Sequence, residues 1–469
     1  MSGAAETWLT GHEPQALKTL KRFCRIPSIS ADPAYAASVR EAAGFVASLL
    51  YDAGFPEVSI EETGGSPAVL AEWGGLPDAP TVLVYGHYDV QPPDPLGAWT
   101  SPPFEPTVRD DRLYARGVSD DKGPLLIPIL VAKAYRETGE RPPVNLKFLV
   151  EGEEESGSPN FEPTVARLKD RLAADLVLSA DGAMWRADLP SVTVASRGLL
   201  GLDVRLTGAA KDLHSGRHGG SAPNPVRALV AMLASLHDAD GNVLVEGFAD
   251  GATPPDPAIL AAIRAARFDP AAYLAEIGAP VPEPLPTGEA LLERQWLHPT
   301  LEFNGVSGGY AGAGSKTVIP AEASAKITCR LVAGQEPDAV FAAIRRHLEG
   351  ATPPGYHLAV ERHGPGSVAF ALDPASRGLA IAEEVLTDVL GAKPLRVAMG
   401  ATIPIGAVFK RHLGTDAVFF SFSTADEDYH APNEFFRLAS FRTGLKAWVR
   451  MLEKLAAEAR PTARRPGGS

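Results

Sequence analysis

Histidine and carboxylate side chains recur beyond the ends of short apolar runs of this sequence, and both are common metal ligands. The residues that follow such runs, with one acidic residue from the loop before an apolar helix, are His87, Asp89, Asp120, Glu154, Glu155, Asp181 and His430. A set of imidazoles and carboxylates without thiolates suits zinc, manganese or cobalt, whereas oxygen ligands alone would suit magnesium or calcium. Two such ions about 3.5 to 4 Å apart can ionise a water molecule and polarise a carbonyl or phosphoryl oxygen. The pattern therefore predicts a hydrolytic centre with two divalent metal ions.

A single occurrence would carry little weight, because a lone histidine beside a strand is more often structural than a ligand. An acidic run such as Glu151–Glu155 is likewise usually a solvated loop. Four repetitions of the same arrangement favour the metal site over these alternatives. One carboxylate of such a site must stay free of metal to act as general base, and the adjacent Glu154 and Glu155 could divide the roles of base and ligand.

The apolar runs that precede these residues are typical of strands that alternate with helices. Strands are expected at Thr81–Tyr85, Val144–Val150, Asp175–Ser179 and Ala417–Phe422, and helices at Tyr35–Ala53, Leu125–Thr138, Arg377–Leu390 and Leu438–Ala456. This alternation favours an α/β fold whose sheet has a parallel core and helices on both faces. In an open sheet of this kind, ligands bind in the crevice beyond the carboxyl ends of the strands, so the candidate metal ligands should converge there.

The pattern changes after Ser196-Arg197-Gly198 and resumes its alternation near residues 368–374. The intervening elements are expected as strands at Leu202–Leu206, Thr317–Ile319 and Ala325–Val332, helices at Pro225–Leu236 and Pro337–Glu349, and a proline-rich region with two helical pieces at Gly251–Pro299. A chain of 469 residues is long enough for two cores. We therefore predict a catalytic domain formed by residues 1–197 and 372–469, with residues 198–371 inserted as a second domain.

Composition and charge narrow the classes of partner. Apolar residues make up 45% of the chain, and 44 Lys and Arg against 57 Asp and Glu leave a net charge of −13. This acidic balance disfavours nucleic acid and anionic membranes as partners, and no signal peptide or membrane-spanning run is recognisable. The sequence contains only Cys24 and Cys329, in no metal-type spacing, which predicts a cytoplasmic protein without a disulfide framework.

Seven segments, taken together and in order, resemble one known family. They are VYGHYDVQP, GVSDDKGP, EGEEESGS, SADGAMW, KDLHSGRHGG, KTVIP and DEDYHAPNE. The resemblance is to the two-metal peptidases that include aminoacylase, carboxypeptidase G and carnosinase, and most of all to the carnosinase and cytosolic dipeptidase branch. It implies an α/β catalytic domain with a mixed, largely parallel sheet flanked by helices, plus an inserted α+β lid and dimerisation domain.

The resemblance also implies a ligand set for two divalent metal ions per subunit, zinc in the first place, with manganese or cobalt as alternatives. His87, Asp120 and Asp181 would hold one ion, and Asp120, Glu155 and His430 the other, so that Asp120 bridges the two. The family commonly has a cis peptide bond directly after this bridging aspartate.

Two further residues are implied to act beside the metal ions. Asp89 would orient His87 by a hydrogen bond to its imidazole, which also fixes the tautomer. Glu154 would be the general base, which leaves Glu153 of the same acidic run without a role.

In the inserted domain, the resemblance implies contacts with the substrate. His214 would reach the site of a partner subunit in a homodimer and steady the oxyanion of the tetrahedral intermediate. Arg330 would pair with the C-terminal carboxylate of the substrate, because a planar guanidinium matches a planar anion. Thr317 and Thr402 fall where further substrate contacts are expected. Without the surrounding motifs, His214 and Arg330 would be taken for surface residues.

The expected activity is metal-dependent hydrolysis of dipeptides, or of small peptides with a free C-terminal carboxylate, by a metal-bridging hydroxide with a glutamate as general base. An N-acyl amino acid amidohydrolase would use the same site, and a non-catalytic member of the fold is the more remote alternative. A phosphoesterase is disfavoured, because no glycine-rich phosphate cradle or basic cluster accompanies the ligands. The loop Thr424–Tyr429 is acidic, and an acidic rim there would favour substrates with a free amino group.

Overall fold

The chain folds into two structural units, which a computed structural model describes for residues 2–459. The first unit takes the residues up to 194, residues 372–397 and those from 408 onward, and the second takes residues 195–371 and 398–407. The second unit is thus inserted into the first. The functions predicted for the two parts, catalysis for one and a lid and dimerisation for the other, stay predictions.

A six-stranded sheet forms the centre of the first unit. Its strands, in spatial order, are Glu57–Glu61, Ala68–Trp73, Asn145–Glu151, Thr81–His87, Leu176–Ser179 and Ala417–Phe419. Ala68–Trp73 runs in the direction opposite to the other five strands, so the sheet is mixed and largely parallel, as the family resemblance implies. The side chains of residues 82–85 are fully buried, which is typical of a parallel strand covered on both faces.

Helices flank this sheet. The α-helices of the first unit are Ser2–Gly11, Glu13–Cys24, Ala36–Asp52, Gly123–Glu137, Phe161–Leu172, Arg377–Leu390 and Leu438–Ala459. Gly123–Glu137 is buried along most of its length, has Pro124 in its first turn, and packs against Leu438–Ala459. A small three-stranded sheet of Thr107–Arg109, Arg112–Tyr114 and Phe435–Arg437 completes this unit.

The second unit contains a four-stranded antiparallel sheet. In spatial order its strands are Thr300–Gly308, Glu322–Leu331, Gly198–Thr207 and His357–Ser367. The helices Pro225–Ala234 and Pro337–Ala351 pack against it around one apolar core. The remaining elements of this unit are the helices Ser215–His218, Pro257–Ala266, Pro270–Glu276 and Gly288–Leu297 and the paired strands Leu213–His214 and Val318–Ile319.

Three strands and one helix lie where the chain passes from one unit to the other. The strands are Ser191–Ser196, Phe370–Ala371 and Leu395–Met399, and the helix is Ile405–Leu413. Two strands of the second unit, Thr300–Gly308 and His357–Ser367, were not predicted, and the proline-rich region has three helices where two were expected. Among the described residues, no helix combines the length and the apolar character needed to cross a bilayer.

Candidate metal centre

His87 ends the strand Thr81–His87, and its side chain is fully buried. Its Nε2 atom lies 2.9 Å from Asp120 Oδ1. Its Nδ1 atom faces Asp89, at 3.3 Å from Oδ1 and 3.2 Å from the carbonyl oxygen. The Asp89 carboxylate also accepts hydrogen bonds from the backbone N–H groups of Glu154 and Glu155, at 3.3 and 3.0 Å. Asp89 therefore links the histidine of one strand end to the two glutamates of another.

Asp120 lies in the turn Val118–Lys122, at a point where the backbone is not helical. Its second oxygen, Oδ2, is 3.0 Å from Nε2 of His430, and the same Nε2 is 3.0 Å from Glu155 Oε2. The carboxylate of Asp120 is thus shared between two histidines. The peptide bond between Asp120 and Asp121 is cis, which confirms the expectation from the family resemblance.

Two groups of side chains are each close enough to hold one metal ion. One group is His87, Asp120 and Asp181, the other is Asp120, Glu155 and His430, and within each group the ligand atoms lie within 4.8 Å of one another. These are the two sets that the sequence analysis names, with Asp120 common to both. The structure brings the residues together, and their role as ligands stays a prediction.

The electrostatics of this cluster fit divalent cations. Burial raises the pKa of Asp181 to about 6 and that of Glu155 to about 7, and repulsion from Asp120 adds to both shifts. Hydrogen bonds to Asp120 and Glu155 raise the pKa of His430 to about 10. Burial alone would raise the pKa of Asp120, but hydrogen bonds from His430 and His87 outweigh it and hold that pKa below its usual value. The raised pKa values mean that the carboxylates of Asp181 and Glu155 bind protons more tightly than usual. Bound divalent cations would take the place of these protons.

Glu154 and Glu155 occupy the same short turn, Glu154–Ser156, but differ in their contacts. Glu155 belongs to the second ligand group, and its Oε2 atom also accepts a hydrogen bond from Gln91 Nε2 at 2.9 Å. Glu154 belongs to neither group, and burial, with repulsion from Asp181, raises its pKa well above the usual value. A buried carboxylate without a ligand role is suited to accepting a proton.

The acidic loop Thr424–Tyr429 is organised differently from the expectation. Glu427 is fully buried and accepts a hydrogen bond from Ser119 Oγ at 2.6 Å, and it lies 3.2 Å from Arg437 Nη1. Asp426 is also paired with Arg437. The expectation of an acidic rim is therefore wrong for Glu427, which is buried, whereas Asp426 is paired with Arg437 but stays half exposed.

The four substrate-contact candidates of the second unit form two pairs. His214 lies on the exposed strand Leu213–His214, and its Nε2 atom is 3.4 Å from Thr317 Oγ1. Arg330, which is half-buried on its strand, donates a hydrogen bond of 2.6 Å from Nη1 to Thr402 Oγ1. Within the part of the chain that the structure describes, no carboxylate forms an ion pair with Arg330. Its guanidinium is therefore available to an anion.

Sequence reasoning missed several residues that support these groups. Glu153 accepts hydrogen bonds from the N–H of Ser66 at 2.8 Å and from Asn160 Nδ2 at 3.0 Å, and so anchors the turn before Glu154. Glu434 accepts four hydrogen bonds around the Asp120 turn. The position of Glu434, in the quoted segment DEDYHAPNE, was the available signal.

An α/β fold with two adjoining groups of potential metal ligands is compatible with a metal-dependent hydrolase, and comparisons with known proteins identify the family. The chain belongs to peptidase family M20/M25/M40, whose family model matches residues 83–454. It is therefore a metal-dependent peptide hydrolase.

Several characterised proteins are similar to this chain over most of its length. The Cys-Gly metallodipeptidase dug1 of Schizosaccharomyces pombe is 30% identical, with 93% of this chain and 94% of that protein covered. The human Beta-Ala-His dipeptidase is 31% identical, with 83% and 78% covered. Among solved structures, the metallo-carboxypeptidase Sso-CP2 of Sulfolobus solfataricus is similar with a TM-score of 0.84 at 31% identity, with 94% of this chain and 99% of that chain covered.

Proposed function

We propose that this protein hydrolyses dipeptides, or small peptides with a free C-terminal carboxylate, at the centre formed around Asp120. The observation that carries the proposal is the sharing of the Asp120 carboxylate between His87 and His430, which joins two ligand groups into one site. The dipeptidase activity of the relatives agrees with it. His87, Asp181, Glu155 and His430 complete the proposed ligand set, with zinc as the first choice and manganese or cobalt as alternatives.

Two bound divalent ions would ionise the attacking water and polarise the scissile carbonyl. The residues of the chain supply the remaining steps. Glu154 takes the proton of the water as its oxygen attacks the carbonyl carbon, and returns it to the amine nitrogen as the C–N bond breaks. Asp89 accepts the Nδ1 proton of His87, which leaves Nε2 free to face the site.

Arg330 is proposed to bind the C-terminal carboxylate of the substrate. Burial lowers the pKa of this guanidinium. An arginine side chain nevertheless stays charged in a protein, so Arg330 can pair with an anion. A second guanidinium, that of Arg197, is close enough to Arg330 to be repelled by it, and burial together with this repulsion lowers the pKa of Arg197 to about 10. The positive charge of Arg197 adds to the attraction of Arg330 for an anionic substrate group. The hydroxyl of Thr402 holds one edge of the Arg330 guanidinium, which orients the rest.

A homodimer through the second unit is part of the proposal. The strand Thr300–Gly308 lies at the edge of its sheet, and Phe303 and Val306 on it are 41% and 54% exposed. An exposed, partly apolar edge strand is suited to pairing with a second copy of the chain. In such a dimer, His214 and Thr317 of one subunit would stabilise the oxyanion in the site of the other.

We also propose a cytoplasmic location. Cys24 and Cys329 are buried free thiols, and they lie in different units. Two unpaired cysteines are what a reducing compartment permits.

Turnover of an unblocked dipeptide and of its N-acetylated form, each with and without chelator, tests the proposed activity. We expect cleavage of the free dipeptide only, with loss of that cleavage on chelation. Cleavage of only the acetylated form would instead identify an N-acyl amino acid amidohydrolase. That alternative is compatible with the loop Thr424–Tyr429, in which Glu427 is buried and Asp426 is paired with Arg437.

A further inference from the structure

The carboxylate of Glu434 is fully buried and accepts four hydrogen bonds from the segment that ends in Asp120. Its Oε1 atom accepts from the backbone N–H groups of Ser119 and Asp120, at 2.9 and 3.2 Å. Its Oε2 atom accepts from the N–H of Gly117 and from Arg116 Nη1, both at 2.8 Å. One side chain therefore accepts hydrogen bonds from three backbone N–H groups, those of Gly117, Ser119 and Asp120, and from the buried guanidinium of Arg116.

These amides depend on Glu434 because regular structure does not satisfy them. Asp120 has φ of −125° and ψ of 92°, which interrupts the turn Val118–Lys122. A backbone N–H buried without an acceptor is costly, so a segment of this shape requires an acceptor from elsewhere in the fold. Glu434 supplies it from 314 residues away in the sequence.

Glu434 also stands four residues after His430, the second histidine that contacts Asp120. Its own backbone carbonyl accepts a hydrogen bond of 3.2 Å from the N–H of Ala115. The next residues form the strand Phe435–Arg437, which pairs with Arg112–Tyr114. The segment that carries His430 is thereby fastened to the segment that carries Asp120 by side-chain and backbone bonds together.

We propose that Glu434 is the positioning residue of the metal centre, which holds the Asp120 carboxylate between His87 and His430 before any metal binds. The inference rests on the proposed ligand role of Asp120 and adds a residue that touches no metal. Preorganised ligands bind a metal more tightly than ligands that must first be ordered. Loss of Glu434 should therefore weaken metal binding as well as stability.

The decisive variant is Glu434→Gln. A glutamine side chain has nearly the same shape as glutamate, but one of its two terminal groups is an NH₂ donor. In either orientation of the amide, this NH₂ group replaces an oxygen that accepts two hydrogen bonds, and it therefore faces other donors. Glu383→Gln is the matched control, because Glu383 forms a largely buried, two-bonded ion pair with Arg396 in the same unit and belongs to neither ligand group. Asp120→Ala is the positive control for the metal site itself.

Each variant would be stripped with chelator and titrated with Zn²⁺ and Co²⁺ by calorimetry, and the visible spectrum of the Co²⁺ form recorded. We expect both glutamine variants to lower the melting temperature of the metal-free protein. Only Glu434→Gln should raise the metal dissociation constant, by about tenfold or more, and change the Co²⁺ spectrum. Unchanged affinity and spectrum in Glu434→Gln, with binding lost in Asp120→Ala, would overturn the inference alone. Unchanged affinity in Asp120→Ala would overturn the metal site.

Hydrogen exchange of the wild-type protein gives a second test that does not depend on a variant folding. If Glu434 holds the turn, the amides of Ser119 and Asp120 should stay protected after metal is removed. Exchange of these amides at the rate of an open loop in the metal-free protein would mean that metal, and not Glu434, orders the segment.

Discussion

Replacing Arg330 with methionine should selectively impair hydrolysis of peptides that have a free C-terminal carboxylate. The guanidinium is half-buried and donates to Thr402 Oγ1 at 2.6 Å. No carboxylate among the described residues forms an ion pair with it, so its other donors are available to an anionic substrate group. Methionine preserves the apolar length of the side chain and removes the charge and all donors.

The expected size of the effect follows from the hydrogen bonds that are lost. A hydrogen bond to a charged group contributes roughly 1.5–3 kcal/mol. Since about 1.4 kcal/mol corresponds to a tenfold change in rate, kcat/KM for a free dipeptide should fall by about 10- to 150-fold. The corresponding dipeptide amide has no carboxylate, so Arg330→Met should change its kcat/KM by less than about threefold.

The assay compares kcat/KM for the two substrates in wild type, Arg330→Met and Thr402→Val, all loaded with the same metal. Thr402→Val is the control variant, because it removes the partner hydroxyl and keeps the guanidinium. It should show a smaller loss in the same direction. Equal losses on the dipeptide and on its amide in Arg330→Met would refute the assignment of Arg330 to the substrate carboxylate.

Three further predictions address the base, the dimer and the pH dependence of stability. Glu154→Gln should retain its metal content by elemental analysis and lose about 10²- to 10⁴-fold in kcat, whereas Glu155→Ala should also lose metal. Normal turnover in Glu154→Gln would show that another residue is the base. Mixing His214→Ala with Glu154→Ala should restore activity above that of either variant if His214 acts across subunits, and no recovery in a mixture shown to exchange subunits would exclude this. Burial raises the pKa of Glu151 to about 8. The folded state therefore binds the proton more tightly than the unfolded state, and stability should fall as pH rises from about 4.5 to 8, by at most about 1.4 kcal/mol per pH unit from this group. In Glu151→Gln, the free energy of unfolding in urea should fall less between pH 5 and 8, and the amide oxygen can still accept the 2.6 Å hydrogen bond from the Tyr85 hydroxyl. An unchanged slope of this free energy against pH would contradict the assignment of the fall to Glu151.

Much of the first unit could be predicted because its strands carry a strong local signal. The helix Arg377–Leu390 begins and ends at the predicted residues, and Ala36–Asp52 differs from its prediction by one residue at each end. These elements are either fully buried or clearly amphipathic, so apolar periodicity marks them. The strand Thr300–Gly308 is exposed over most of its length and lies at a sheet edge, and it therefore lacked that periodicity.

The acidic loop shows where local reading fails. The run of Asp426, Glu427 and Asp428 resembles a solvated rim when it is read by charge alone. Glu427 is instead fully buried, and its partners Ser119 and Arg437 come from two different segments. Charge in a sequence does not reveal burial, because the partner that makes burial tolerable is distant along the chain.

The sequence by itself determined the types of ligand and the strand ends that bear them. His87 and Asp181 follow apolar runs, and the carboxyl ends of parallel strands meet at one edge of a sheet, so their convergence follows from local patterns. Only the tertiary structure decided how Asp120 is held between two histidines. Its amide and those of its turn find their acceptor in Glu434, and no periodicity or spacing specifies a hydrogen bond between residues so far apart in the chain. Glu434 becomes the acceptor because the whole segment is buried, and each buried N–H group requires an acceptor.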